Sequence, residues 1–106
     1  MSAYVIVEFT VKDPDVYREK YAGAAGKTAK EYGAEVLAAG NWEILDGDTG
    51  LSSGVIVAFP DLETALTWYN SPEYQQLIDV RGVAMDARFS LLDGLPSTTE
   101  DEGEPE

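Results

Sequence analysis

Three features of the chain predict an α+β fold of order β-α-β-β-α-β. Residues 3–11 alternate in polarity, residues 55–59 form a short continuous apolar run, and Asp13-Pro14 and Ser71-Pro72 mark helix starts between strand-like segments. In the first segment Val5, Val7, Phe9 and Val11 share one face, with Tyr4, Ile6, Glu8 and Thr10 on the other. Its β-branched residues fit a pleated, half-buried surface. Asp13 is placed to cap a helix and Pro14 to fill its first position, where no N–H is needed. That helix runs to Tyr32 and carries Tyr17, Tyr21, Ala24, Ala25, Thr28 and Tyr32 along a broad stripe, with Gly33 as its stop. The small residues 22–26 would allow close approach to a sheet.

Residues 35–46 read as a second strand with a bend or bulge at Gly40, and residues 46–54 as a loop. The run 55–59 reads as a central strand buried on both sides. Asp61 caps a further helix with Leu62, Ala65, Leu66 and Tyr69 facing inward, and Ser71-Pro72 open another. Helical steps from Tyr74 bring Leu77, Ile78 and Arg81 onto one side. The last strand is Met85–Asp93, with Phe89 and Leu91 opposite Arg88, Ser90 and Leu92.

This order is the split βαβ, or ferredoxin-like, arrangement: helices on one face of a four-stranded antiparallel sheet. Tyr4, Ile6 and either alternation of residues 55–59 make the other face too apolar for water, so the expectation is a homodimer packed sheet to sheet. The folded domain is expected over residues 1–94. Residues 95–106 have no apolar side chain after Leu95 apart from prolines and are expected to form an acidic, disordered tail.

Composition closes several routes. The 106 residues include 20 acids and 7 bases, a net charge of −13 that repels nucleic-acid phosphates. Five of the acids lie in residues 100–106. No apolar run approaches the roughly 20 residues that span a bilayer, and the N-terminus lacks a basic start and a small-residue cleavage site, so no membrane is expected and the cytoplasm is the expected location. With no cysteine and no histidine there is no thiolate nucleophile, imidazole base, histidine-bound haem or common zinc site, and no carboxylates fall at calcium-loop spacing. The expectation is therefore no metal and no cofactor.

Two sets of residues point to chemistry. Arg81, at the end of an apolar stripe and near Trp68, Tyr69 and Tyr74, suits a small organic anion, because apolar walls hold a ligand and a fixed charge orients it. It could equally bond the last carbonyls of its helix or pair with Asp79, Asp86 or a strand carboxylate. Glu8 is the second: a carboxylate among strand residues is a structural partner, or a general base if burial raises its pKa. Tyr17, Tyr21 and Trp68 are packing residues or ligand contacts, and Ser71 is a cap in the first instance.

The segment Trp68-Tyr69-Asn-Ser-Pro-Glu-Tyr74, with Arg81, the preceding Val55-Ile-Val-Ala-Phe-Pro-Asp, Tyr4-Val-Ile-Val, Asp13-Pro, Tyr17, Tyr21, Tyr32-Gly33 and Glu43-Ile-Leu-Asp-Gly47, resembles the domain of unknown function 1330 family. The resemblance covers residues 3–94 and implies the dimeric α/β-barrel superfamily, whose members include cofactor-independent monooxygenases, haem-degrading enzymes, muconolactone isomerases and stress-responsive proteins. It implies Tyr17, Tyr21, Trp68, Ser71, Tyr74 and Arg81 as pocket residues. Many members carry an arginine followed by glycines in the second strand, where this chain has Ala38-Ala39-Gly40-Asn41. The function expected is a small-molecule-binding homodimer, a cofactor-independent enzyme of monooxygenase, isomerase or cyclase type acting on a small aromatic or carboxylate-bearing metabolite. The alternative is a non-catalytic ligand-binding or stress-responsive dimer module.

Overall fold

In the computed structural model, which describes residues 2–94, the alternation of the first segment becomes strand β1, Ala3–Val11. Ala3, Val5, Val7 and Phe9 are buried, and the intervening residues are partly open. β2 is Glu35–Asn41, β3 Ser53–Phe59 and β4 Met85–Asp93. They form one antiparallel sheet of order β2-β3-β1-β4. This is the ferredoxin-like arrangement, with both central strands, β1 and β3, drawn from the most apolar segments. Met1 and the expected acidic tail at residues 95–106 lie outside the described residues.

The first helix starts as its cap dictates. The Val16 N–H donates to Asp13 Oδ1 at 3.2 Å and Pro14 follows the cap. The helix is not uniform: a turn at Pro14–Val16 passes into a π-helical segment, Tyr17–Ala22, before regular α-helix resumes over Gly23–Glu31. The wider π turn rotates the α-helical residues after it, so the even stripe expected through Ala24 breaks. Ala24 is exposed, whereas Ala25 and Ala29 pack toward the core. Such π segments are uncommon and concentrate at functional positions. Gly33 ends the helix with φ of 81°, and a Cβ there would also come within 3.1 Å of the Pro60 ring.

The segment after β3 holds three short helices rather than two: Leu62–Tyr69, Pro72–Gln75 and Ile78–Ala84. Asp61 caps the first, accepting from the Thr64 N–H at 2.7 Å. Its inward face is Ala65 and Trp68, both buried, and not Leu62 and Leu66, which are 36% and 47% exposed. The helix turns its largest ring inward, and the two leucines lie in a shallow outer depression beside Tyr32 and Pro72. A second correction concerns β2. Its irregularity falls at Leu37, between Val36 and Ala38, and not at Gly40.

All helices cover one face of the sheet. The opposite face carries Tyr4, Ile6, Ile56, Ala58 and Leu92, crossed by one ion pair, Glu8 Oε1 to Arg88 Nε at 2.8 Å. Leu92 is 59% exposed, and on the β2–β3 connection Leu45 is 93% exposed. The molecule measures 46 × 35 × 16 Å, and its radius of gyration of 14.9 Å exceeds the about 12–13 Å of a compact chain of this length. No helix among the described residues is long and apolar enough to cross a membrane.

Gly54, opposite Glu8 in β3, makes room for one large side chain on that open face. A Cβ there would overlap the Trp42 ring, whose buried Nε1 has no hydrogen-bond partner among the described residues. Gly54→Ala should push the indole off the sheet and lower stability by about 1–3 kcal/mol, the usual cost of overpacking. Urea denaturation monitored by tryptophan fluorescence measures the loss.

Candidate functional site

Ser71 builds the turn on which the aromatic side chains depend. Its Oγ accepts from the Tyr74 N–H at 3.2 Å and donates to the Trp68 carbonyl at 2.7 Å. Locking both ends of the Asn70-Ser71-Pro72 corner brings the Tyr74 ring to 4.5 Å from Trp68 and 5.2 Å from Tyr69, centroid to centroid. Tyr74 is wholly buried, with 0% of its surface exposed. Arg81 reaches back across the break between the last two helices. Its Nη1 donates to Tyr74 Oη at 2.9 Å and Tyr69 Oη at 3.2 Å, and its guanidinium lies 4.3 Å from the Phe89 ring centroid. None of the ion pairs among the described residues involves Arg81, and Asp86 pairs with Lys12 instead.

A cavity of about 460 Å³ opens between the first helix and the sheet, within the roughly 300–1,000 Å³ usual for small-molecule sites. Val7, Val57 and Phe89 contribute to its floor from three strands, and Ala25 and Ala29 to its roof. Tyr17 and Tyr21 line it from the π segment, and Trp68 joins them from the opposite helix. Trp68 also ties the two helices together, because its Nε1 donates to Thr28 Oγ1 at 3.0 Å. Tyr17 is fixed by stacking on Phe9 at 5.8 Å.

The residues read from sequence therefore separate into three groups. Tyr17, Tyr21 and Trp68 line the cavity. Ser71, Tyr74 and Arg81 stand behind that wall: a cap, a buried phenol and the cation bonded to it. Glu8 is on the other face of the sheet, held by Arg88, and does not line the cavity. The small residues 22–26 do not bring the helix down onto the sheet; Ala22, Ala25, Gly26 and Ala29 leave the hollow. Lys30, Glu35 and Val36, which line the cavity toward β2, were not anticipated. Only the Ala-Gly spacing on the helix signalled that space. Among the described residues no group of three or more carboxylates could hold a metal ion.

The hydroxyls of Tyr21 and Tyr74 and the Arg81 guanidinium form a chain. Tyr21 Oη and Tyr74 Oη are 2.6 Å apart, and Arg81 has only protons to give. Tyr74 accepts from Arg81, and either phenol can donate to the other across the contact they share. One of the two phenol protons is thus left for another acceptor. Burial pushes the Tyr21 pKa far above that of an ordinary phenol, reinforced by Tyr74 alongside it. Burial also raises Tyr17 and Tyr74, the latter against the opposing pull of its bonds to Tyr21 and Arg81. For Arg81 burial acts against the charge, but the bonds to Tyr69 and Tyr74 together outweigh it and raise its pKa.

These directions set an alkaline limit. Each raised tyrosine contributes stability that is complete below the unfolded-state pKa of about 10 and is lost as pH rises toward the folded-state value. Tyr17, Tyr21 and Tyr74 should thus appear as tyrosinate only together with unfolding. Ultraviolet absorbance and circular dichroism followed through the same alkaline titration should show one shared transition for this fraction. Tyr74→Phe should destabilise by about 1–3 kcal/mol, the cost of leaving buried donors unpaired, measured by urea denaturation.

Solved structures share the fold across nearly the whole chain. A protein of unknown function from Rhodopseudomonas palustris, RPA0582, superposes with a TM-score of 0.72 at 17% identity, over 90% of this chain and 83% of its own. SnoaB, a cofactor-independent oxygenase from Streptomyces nogalater, gives 0.57 at 14% identity, over 95% and 98%. A dimeric protein of unknown function with a ferredoxin-like fold from Bacteroides fragilis gives 0.57 at 12% identity, over 88% and 96%. No curated protein matches the chain in sequence. The family profile for the domain of unknown function DUF1330 matches residues 2–95, and the chain belongs to that family.

Proposed function

We propose that the protein is a homodimer that binds a small aromatic compound in the cavity and assists proton transfer beside a carbonyl or phenol group without a cofactor, as a monooxygenase, isomerase or cyclase would. The observation that carries this reading is the Tyr21 hydroxyl, on a residue 6% exposed, at the wall of an apolar cavity and backed by Tyr74 and Arg81. In this reading Tyr74 donates to Tyr21 and Tyr21 donates to a ligand oxygen; as that oxygen gains charge as an enolate or phenolate the bond strengthens, and the Arg81 charge behind Tyr74 polarises it further. Apolar walls exclude water and enlarge that effect. The fold shared with a cofactor-independent oxygenase is compatible with this chemistry and supplies no substrate.

A second reading, binding without conversion, is favoured by the placement of bases. Tyr17 and Tyr21 are phenols, protonated at neutral pH, and burial moves them further from acting as bases, while Glu35 is the one carboxylate among the described residues lining the cavity. Dimerisation is supported by the open face: Tyr4, Ile6, Ile56 and Ala58 have no helix over them among the described residues, and a second copy with the same patch would cover it.

Thermal-shift screening of quinols, anthrones and lactones, followed by turnover assays, separates the readings. Catalysis predicts stabilisation and product formation, with Tyr21→Phe reducing kcat by about a hundredfold, as loss of one oxyanion donor does. Stabilisation without product selects the binding module, and no stabilisation by any compound rejects both. Sedimentation should report a dimer at micromolar concentration for the native chain and a monomer for Ile56→Glu. A folded monomer of the native chain rejects the dimer.

A further inference from the structure

The end of the cavity away from the tyrosines carries charge, and it is not the charge expected from sequence. Arg81 is bound to two phenols and lies behind the wall, whereas Lys30 is the one cation among the described residues that lines the cavity. Lys30 takes part in none of the ion pairs among the described residues. It stands in the last turn of the Gly23–Glu31 helix, nine residues beyond Tyr21, or about 13 Å along a helix rising 1.5 Å per residue. The helix residues lining the space between are Ala22, Ala25, Gly26 and Ala29, none with a side chain larger than a methyl group. Opposite them lie valines of β1 and β3. The result is an apolar trough with a hydrogen-bond donor at one end and a flexible ammonium at the other.

We propose that Lys30 binds the carboxylate of an elongated, flat ligand whose far end presents a carbonyl or phenol oxygen to Tyr21. The ligand class is an aromatic carboxylate and not a neutral aromatic compound. This rests on the reading of the cavity as a ligand site. Lys30 and Tyr21 are about 13 Å apart along the helix, more than one ring's length, so the proposed ligand is longer than a single-ring phenol. Glu35 lines the same end and opposes an anion, which, with a chain charge of −13, selects a single carboxylate over a more highly charged group such as a phosphate monoester. The four-carbon stem of Lys30 lies along apolar surface while its ammonium follows the ligand.

The test compares binding of a hydroxynaphthoate with that of its methyl ester, which keeps the rings and the phenol and loses only the charge. Lys30 and Glu35 are both exposed, so their substitution leaves the core intact. Calorimetry should show the acid bound about two- to fivefold more tightly than the ester, the range of an exposed charge pair. Lys30→Met should abolish that preference, Glu35→Gln should widen it, and added salt should narrow it. Equal binding of acid and ester, or a preference that survives in Lys30→Met, overturns the role of Lys30 and leaves the cavity as a ligand site. Failure of both probes to bind overturns the cavity reading together with it.

Discussion

A phenol with no access to water must find partners inside the protein, and Tyr74 finds them on four separate elements. Its hydroxyl meets Tyr21 on the first helix and Arg81 on the last, while its ring packs on Trp68, Tyr69 and Phe89. Each contact restrains the element that supplies it. The π segment must hold Tyr21 at the right depth, the Ser71 corner must aim the Tyr74 ring, and Arg81 must reach back across a helix break. A half-buried guanidinium without a carboxylate is tolerable here because two phenol oxygens accept its protons and an aromatic face shares its charge. The same contacts set Tyr21 at the cavity wall, so a packing requirement and the proposed chemistry have one source.

The cavity has a different origin, in what the helix lacks. Its roof is made of alanine and glycine, while Tyr17 and Tyr21 on one side and Trp68 on the other hold the helix off the sheet. The Trp68 bond to Thr28 fixes that separation. Large rings at the edges and small residues between them give a trough, because close-packed interiors cannot collapse past rigid aromatic spacers. On the opposite face of the sheet Gly54 accommodates Trp42, Glu8 is paired with Arg88, and Tyr4, Ile6, Ile56, Ala58 and Leu92 form an apolar patch. The proposed binding site and the proposed association surface thus lie on different faces of one sheet.

Local rules written into the sequence determined strands β1 and β3 and the capped helix starts. Alternation in β1, the apolar run of β3 and the Asp13, Asp61 and Ser71 caps act over a few residues, and they are where expected. What depends on contacts between distant segments was decided only in three dimensions. The π turn answers to the partners of Tyr21, not to the residues around it. Leu62 and Leu66 are apolar enough to face inward, yet Trp68 takes that side because a larger ring buries more surface. Arg81 has the composition of a ligand-binding residue, but Tyr69 and Tyr74 occupy its donors. Lys30 has the composition of a solvated surface residue, but the hollow beneath the helix reaches it. Side-chain type states what a residue is able to do; whether it meets a cavity, a partner or solvent is set by packing between segments far apart in sequence, as Tyr21 and Tyr74 are, 53 positions apart.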